Sequence, residues 1–538
     1  MSSDSKVWWR DGVLYQIYPR SFADSNGDGV GDLRGIIERL DHLQWLGIDG
    51  IWINPVMSSP NKDWGYDVSD YKNIHPELGT LEDSDELVRE ASARGIRVLY
   101  DLVPNHTSDQ HPWFQDALSE RDSIYRHYYV WADPKEDGSP PNNWVSVFGG
   151  EGAWELDERS GQYYLHNFLR HQPDLNWWND DVRDEIDDVL RFWFDRGIAG
   201  FRIDVAHSMI KDKELRDNLP ATDEDPERFR RTGQQPLYNM NRPEGHDVIK
   251  RWRSLSDEYD PQRVLVGETF VLDVARMVSY YGANDELSLA FNFPFVFSAF
   301  EPAELRGIVE LTESLLPGES WPVWTASNHD VGRLATRWCQ GDEKKVRCAL
   351  MLLLTLRGTP FLYYGDEIGL HEADLEREDL MDPVGLRFWP DNKGRDGART
   401  PMQWEPGPGA GFGRPDIQPW LPFGDHEAQN VLSQRDDRGS VLWLTKDLIA
   451  LRRESEDLTR NSYETLDTES DVWAYRRGSR TVVALNLSDE PGRLDGISGT
   501  VAISTHRRSD GDRINGELEL ESWQGAVVVA DSAVPSGG

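Results

Sequence analysis

Four short apolar segments of the sequence each end in side chains that can transfer protons or attack electrophilic carbon. They are DLVPNH (101–106), FRID (201–204), GET (267–269) and SNHD (327–330). A single Asp or His at the end of a strand is more often a cap or a satisfied hydrogen-bonding group. Four such endings indicate an active site with acid, base and nucleophile only if the fold brings them to one edge.

The elements around these segments supply such an edge. Short apolar strands alternate with amphipathic helical segments eight times, which favours a closed parallel (β/α)8 barrel, because every strand then has a helix on its outer face and no edge is left. A doubly wound open sheet is the alternative. In a barrel, the C-terminal ends of the strands meet at one mouth, where all four polar segments would lie. The predicted strands span 13–22, 49–55, 96–106, 200–206, 263–269, 287–294, 321–330 and 359–367.

Changes in pattern along the chain predict three further divisions. An aromatic, Gly/Pro-rich segment at 107–174 is typical of an inserted subdomain B, and a Gly/Pro/Asp-rich segment at 370–430 of a second insertion. Residues 456–538 alternate short strands with Gly/Asp turns, which indicates a C-terminal antiparallel β-sandwich. The catalytic barrel would then comprise 1–106 and 175–455.

Composition excludes several classes of function. Lys and Arg total 57 and Asp and Glu total 95, so the formal net charge of −38 disfavours nucleic acid and anionic membranes as partners. This charge fits a high-salt habitat and a well-solvated surface equally. No secretion signal or membrane span is evident, which predicts a cytoplasmic protein. Two cysteines, Cys339 and Cys348, do not provide a disulfide framework or a thiolate metal site. No organic cofactor is expected, and the oligomeric state is left open.

The four polar segments resemble, in order and spacing, the signature regions of the α-amylase family of glycoside hydrolases. GIDGIWINP (47–55), QPDLN (172–176) and GTPFLYYGDE (358–367) are also similar to that family. Two more segments, DWGYDVSDY (63–71) and ARTPMQW (398–404), resemble its α-glucosidase and oligo-1,6-glucosidase branch. The resemblance implies a retaining, exo-acting α-glucosidase. It would hydrolyse terminal non-reducing α-linked glucose from short oligosaccharides or disaccharides through a covalent glucosyl-aspartate.

By the same resemblance, Asp204 is the nucleophile, Glu268 the general acid/base and Asp330 the third acidic residue, which would hydrogen-bond the sugar. Arg202 lies two residues before Asp204, on the same face of the strand, and its charge can keep the nucleophile ionised. A general acid needs a raised pKa, so we expect Glu268 to lie away from arginine, near Asp330 or apolar walls. Retention requires carboxyl groups about 5–5.5 Å apart.

The branch also implies a closed sugar pocket. Asp63 and Arg399 would form the pair that closes its far end, Tyr66 would stack on the ring, and both histidines would donate to its hydroxyls. A valine directly after the nucleophile goes with α-1,6 linkages, but His207 stands where that branch has asparagine, so the linkage stays open. The residues implied to bind the sugar are Asp63, Tyr66, His106, Phe148, Phe168, Arg202, Val205, His329 and Arg399.

The segment DSNGDGVGD (24–32) resembles the first part of a calcium loop. Its oxygen donors fall at alternate positions, but Gly35 occupies the place of the usual bidentate glutamate. The segment predicts a structural Ca²⁺, or Mg²⁺, site; a solvated Asp/Asn/Gly turn is the alternative. The expected ligands are Asp24, Asn26, Asp28, the Val30 carbonyl and Asp32.

Two other functions share the fold. A glucosyl-transferring or isomerising enzyme of the sucrose isomerase or trehalose-forming type would share the first half-reaction, although no RLDRD-type motif occurs. A non-catalytic, transporter-associated relative would lack acidic residues and carry a membrane anchor, whereas this sequence retains Asp204, Glu268 and Asp330.

Overall fold

Eight parallel strands form one sheet in the computed structural model, which describes residues 7–468 and 472–533. We number them β1 to β8. Their order in the sheet is β6-β5-β4-β3-β2-β1-β8-β7, so each strand lies beside its neighbour in sequence and β1 pairs with β8. This is the (β/α)8 barrel predicted from the sequence. The strands are Leu14–Ile17, Gly50–Ile53, Arg97–Leu102, Gly200–Ile203, Val264–Gly267, Leu289–Ala290, Val323–Trp324 and Thr359–Tyr363.

One principal helix, numbered α1 to α8, follows each strand. These helices are Leu33–Leu46, Leu81–Ala93, Asp180–Asp195, Gly245–Asp257, Val274–Ser279, Pro302–Leu315, Glu343–Thr355 and Val441–Glu454. Shorter helices occupy the connections: Trp8–Asp11, Pro112–Ser119, Glu227–Thr232, Phe293–Phe297, Leu334–Arg337, Pro383–Phe388, Val431–Asp436 and Glu456–Thr459.

The chain divides into two compact units. The first comprises the described residues of 1–52, 86–98 and 292–538, and the second comprises 53–85 and 99–291. Strands β4 and β5 lie in the second unit, and β7 and β8 lie in the first.

Strand register sets the level of the two predicted catalytic carboxylates. Gly200 pairs with Val264 and Ile203 with Gly267, in parallel. Both strands are buried along their whole length, as expected for parallel strands covered on both faces. Asp204 and Glu268 are therefore the first residues after two adjacent strands, at the same height.

The segment between β3 and α3 has its own small sheet. Strands Trp131–Ala132, Trp154–Asp157 and Gln162–Leu165 pair antiparallel around the buried Trp144 and Trp154. Its C-terminal end returns to the end of β3, where Leu175 N–H donates to the Asn105 carbonyl at 2.9 Å.

The C-terminal region forms one continuous six-stranded antiparallel sheet, in the order β9-β10-β11-β14-β12-β13. The long strand β12 contacts β13 and β14 and shifts register between Asp495 and Ser498. Bulges bend strands, and the sheet buries an aliphatic core that includes Val482, Leu494 and Val528. Its strands are Tyr463–Leu466, Val472–Arg477, Thr481–Asn486, Gly492–Ser504, Arg513–Leu520 and Gln524–Ala530.

Within the described residues, no helix has the length and apolar character needed to cross a membrane.

Gly200 gives the first prediction. A Cβ at Gly200 would lie 2.2 Å from the Val264 carbonyl oxygen on the adjacent strand, whereas a Cβ at Gly307, inside α6, would meet nothing within 4 Å. We expect Gly200→Ala to destabilise the fold by about 1–3 kcal/mol, because two backbones would have to separate. Gly307→Ala should be neutral or stabilising by up to about 1 kcal/mol. Thermal melts of both variants check this; equal midpoints would contradict it.

Candidate active site

One buried guanidinium contacts three carboxyls of the second unit, including those of the two predicted catalytic residues. Arg202 Nη1 lies 2.9 Å from Asp204 Oδ1 and 2.8 Å from Asp101 Oδ1. Its Nη2 lies 2.6 Å from Glu268 Oε2. The planar fork of arginine can hold several carboxylates in fixed directions, which the single ammonium of lysine cannot.

The expectation that Glu268 would lie away from arginine is wrong. Besides the contact with Arg202, its Oε2 accepts the Val205 N–H at 3.0 Å. The physical reason is the strand register, because adjacent strands that end at one level present both acids to the same guanidinium. The expected contact of Arg202 with Asp204 is confirmed.

The charges in this cluster are unbalanced, since the carboxyls of Asp101, Asp204 and Glu268 face one cation. Burial raises the pKa of Asp204 well above its ordinary value; the charge of Arg202 opposes the shift, and Glu268 and Asp101 add to it. Burial likewise raises the pKa of Asp101 to about 7, against the attraction of Arg202. The cluster therefore favours retaining a proton near neutral pH.

The residue after Asp204 has a strained backbone. Val205 has φ of 35°, a left-handed conformation that is unusual for a β-branched side chain and costs about 1–3 kcal/mol. This conformation accompanies the hydrogen bond from the Val205 N–H to Glu268. This hydrogen bond thus links the residue after Asp204 to Glu268.

Tyr66 and His106 lie in buried hydrogen-bond networks of the same unit. The Tyr66 hydroxyl donates to Asp101 Oδ2 at 2.9 Å and accepts from Asn54 Nδ2 at 2.8 Å. His106 Nδ1 lies 3.0 Å from Asn105 Nδ2, and its Nε2 lies 2.9 Å from the Tyr66 carbonyl. Since an amide N–H donates and a carbonyl accepts, we assign a neutral, Nε2-protonated ring. Burial lowers the pKa of His106 to about 4, so the ring is neutral at pH 7.

Asp63 lies beside the same network. Its Oδ2 accepts from Gln172 Nε2 at 3.2 Å, and only 4% of the residue is exposed. Phe168 packs on the His106 ring, with the centroids 5.1 Å apart, and Phe148 packs on Phe168. The predicted sugar-binding residues of this unit are thus one contiguous group.

A buried lysine hydrogen-bonds to residues next to this group. Lys211 Nζ lies 2.6 Å from Asp174 Oδ2 and 2.6 Å from Asn105 Oδ1. Asn105 in turn donates to His106. Lys211 therefore connects the loop after the nucleophile to the segment that orients this histidine.

In the first unit, Asp330 is held by two arginines and a histidine. Its Oδ1 lies 3.0 Å from Arg395 Nη1 and 2.8 Å from Arg399 Nη2, and its Oδ2 lies 3.2 Å from His329 Nε2. Arg395 in turn donates to the buried Asp382, through Nε at 3.1 Å and through Nη2 at 2.8 Å. These contacts fix the position of the Asp330 carboxyl within the first unit. Pairing of Arg399 with Asp63 stays a prediction.

Sequence reasoning missed several of these residues. Asp101 and Gln172 belong to segments that had been singled out, so their polarity was a usable signal. Arg395 precedes Arg399 by four residues, but nothing in the sequence distinguishes it from a surface arginine. Lys211 gave no signal, because burial of a lysine depends on tertiary contacts.

The loop at 24–32 uses its acidic oxygens within the chain. Asp24 accepts the N–H groups of Gly27 and Gly29, and Asp32 accepts those of Ser25 and Gly35. Across 7–468 and 472–533, no three His, Cys, Asp or Glu side chains are gathered closely enough to hold an ion. The donors are nevertheless hard oxygens of the type that calcium takes. Their chemistry fits the ion, although the loop does not gather them around one.

Comparisons with known proteins agree on one family. The model of the α-amylase catalytic domain matches residues 16–461. A probable α-glucosidase of Rhizobium meliloti is 42% identical over 96% of this chain and 96% of its own length. An oligo-1,6-glucosidase of Heyndrickxia coagulans is 40% identical over 91% and 93%. The crystal structure of an α-glucosyl transfer enzyme, XgtA, superposes with a TM-score of 0.92 at 41% identity, covering 98% of this chain and all of that one.

The charge imbalance generates a prediction about pH. Replacing Asp101 with Asn keeps an acceptor for Tyr66 and Arg202 but removes a negative charge that raises the pKa of Asp204. The pKa of Asp204 should therefore fall. Because the nucleophile must be ionised, the acid limb of the kcat/KM profile should move to lower pH.

The control for this experiment is Asp187→Asn, which removes a carboxylate on α3 that pairs with Arg251. Its acid limb should match that of the wild type. An acid limb that stays in place, or moves to higher pH, in Asp101→Asn would contradict the electrostatic account.

Proposed function

Because this chain belongs to the α-amylase family of glycoside hydrolases, we propose that it is a retaining, exo-acting α-glucosidase. The substrate would be a short oligosaccharide or disaccharide with a terminal non-reducing α-linked glucose. One observation carries the proposal: Asp204 and Glu268 follow adjacent strands and contact the same buried guanidinium. Two carboxyls held side by side suit a double displacement, in which one attacks as a carboxylate and the other donates a proton.

In the first step, Asp204 attacks the anomeric carbon while Glu268 gives its proton to the glycosidic oxygen. The bond to the leaving sugar breaks and a glucosyl-Asp204 ester forms. Oε2 of Glu268 already accepts from Arg202 and from Val205 N–H. The proton would therefore reside on Oε1, which makes that oxygen the donor.

In the second step, the Glu268 carboxylate takes a proton from water, and the water oxygen attacks the anomeric carbon. The ester bond to Asp204 breaks and the carboxylate is restored. Arg202 offsets the negative charge that returns to Asp204. Two inversions at the anomeric carbon give net retention.

The remaining predicted residues would bind the glucosyl unit. The neutral His106 can donate from Nε2 once a sugar hydroxyl replaces the Tyr66 carbonyl. Asp330 can accept from sugar hydroxyls, and Asp63 with Arg399 would limit the pocket to one sugar. Val205 favours an α-1,6 linkage, but His207 in the place of asparagine leaves α-1,6 and α-1,4 linkages both open.

Glucosyl transfer is the second candidate, favoured by the 41% identity to an α-glucosyl transfer enzyme over nearly the whole chain. Both activities use the same first step. They differ in whether water or a sugar hydroxyl captures the glucosyl-Asp204 ester.

Substrates with a blocked end test the exo mode. Maltotriose and isomaltotriose should lose one non-reducing glucose at a time, released first as the α-anomer in proton NMR spectra. A derivative blocked at its non-reducing end should not be cleaved. Asp204→Asn should reduce kcat/KM by at least about 10³-fold.

Asp195→Asn serves as the control, since that exposed residue ends α3, and its activity should equal that of the wild type. Initial release of β-glucose, or cleavage of the blocked substrate, would reject the proposal. Accumulation of new oligosaccharides with little free glucose would select the transferase instead.

We also propose a structural Ca²⁺ in the loop at 24–32, held by side-chain oxygens of Asp24, Asn26, Asp28 and Asp32 and by the Val30 carbonyl. The ion would cross-link the loop before α1. A chelator should lower the melting midpoint and excess calcium should restore it. In Asp28→Asn the midpoint should not respond to calcium, because the charge is lost while the acceptor for Val30 N–H stays. A wild-type midpoint that ignores the chelator would contradict the site.

A further inference from the structure

Three consecutive residues after the nucleophile bind the loop that carries the acid/base. Val205 N–H donates to Glu268 Oε2 at 3.0 Å, and Ala206 N–H donates to the Glu268 carbonyl at 3.0 Å. The third contact comes from a side chain, since Phe270 N–H lies 3.3 Å from His207 Nδ1. The first two contacts use backbone donors that any residue supplies. Only the third depends on which amino acid occupies the position.

The His207 ring is buried, with 6% of the residue exposed. Its Nδ1 lies 3.3 Å from both the Phe270 N–H and the Glu268 carbonyl. The carbonyl already accepts from Ala206, whereas the Phe270 N–H is a donor that needs an acceptor. The Nε2-protonated tautomer satisfies this donor, and the other tautomer would lose the contact.

We propose that His207 is a positioning residue: its Nδ1 accepts the Phe270 N–H and thereby holds Glu268 in the orientation from which it protonates the leaving group. The backbone of His207 is itself fixed, because its carbonyl accepts the Asn241 N–H at 2.7 Å. His207 therefore joins three loops, those at 205–208, 238–241 and 268–271, through its ring and its backbone carbonyl. The inference rests on the proposed function, since it assigns a task to a residue that acts through the acid/base.

Leaving-group dependence separates this role from a general loss of stability. A natural disaccharide needs a proton on its leaving oxygen, and a general acid contributes about 10²–10⁴-fold to such a step. Fluoride, by contrast, leaves α-glucosyl fluoride without proton donation. A misplaced Glu268 therefore slows cleavage of the disaccharide much more than cleavage of the fluoride.

The experiment measures kcat/KM of His207→Leu and His207→Asn on α-glucosyl fluoride and on whichever of maltose and isomaltose the wild type cleaves faster. For His207→Leu we expect a loss of about tenfold or more on the disaccharide and a much smaller loss on the fluoride. His207→Asn should recover most of the disaccharide activity, because its Oδ1 can replace Nδ1 as the acceptor.

His111 provides a matched control, since this buried histidine also accepts a backbone N–H through Nδ1, from Trp113 at 3.2 Å. His111→Leu should change both substrates by the same factor. Equal losses on both substrates in His207→Leu would overturn the positioning role, as would a failure of His207→Asn to recover. A wild type that cleaves neither the disaccharides nor the fluoride would instead reject the proposed glucosidase function. The two failures are therefore distinguishable.

Discussion

The structure depends on a buried ion cluster in which one arginine faces three carboxyls. A buried charge is tolerated only when it is paired and hydrogen-bonded, and Arg202 satisfies this for Asp101, Asp204 and Glu268 at once. One arginine does not fully compensate the negative charge of three carboxyls, and this imbalance affects the protonation of the cluster. It favours one proton in the cluster, so the same group of residues can contain a nucleophile and an acid.

Much of the structure around the cluster fixes the positions of its members. The pairing of β4 with β5 places Asp204 and Glu268, the two proposed catalytic residues, at one height. The strained Val205 turns its N–H toward Glu268. Lys211, Asn105 and Asp174 form a second buried polar group that orients His106. Apart from the contact of Asn105 with the adjacent His106, these contacts join segments that are far apart in sequence, so this part of the site is assembled only when the second unit folds.

The sequence predicted the barrel, because eight alternations of strand and helix leave few other arrangements. It also placed Asp204 and Glu268 directly after two strands, and the structure has them there; their catalytic roles, which the family resemblance implies, stay a prediction. It misplaced the environment of Glu268, because a contact between side chains of two strands depends on register, which a strand pattern does not specify. The burial of Lys211 and the ion pair of Asp382 with Arg395 could not be predicted from the local sequence pattern either. In the loop at 24–32, the sequence shows which oxygen donors are present, but not the backbone N–H groups from which these oxygens accept hydrogen bonds.

In the proposed mechanism Asp204 forms a covalent bond to the sugar, while Glu268 donates a proton in the first step and accepts one in the second. The most direct test of this mechanism is to trap the ester with a fluorinated α-glucosyl fluoride, which slows the second step more than the first, and to digest the protein for mass spectrometry. The account predicts one added fluoroglucosyl group on the peptide that contains Asp204, and no label in Asp204→Asn. A label on another carboxylate, or inactivation without any covalent adduct, would contradict it.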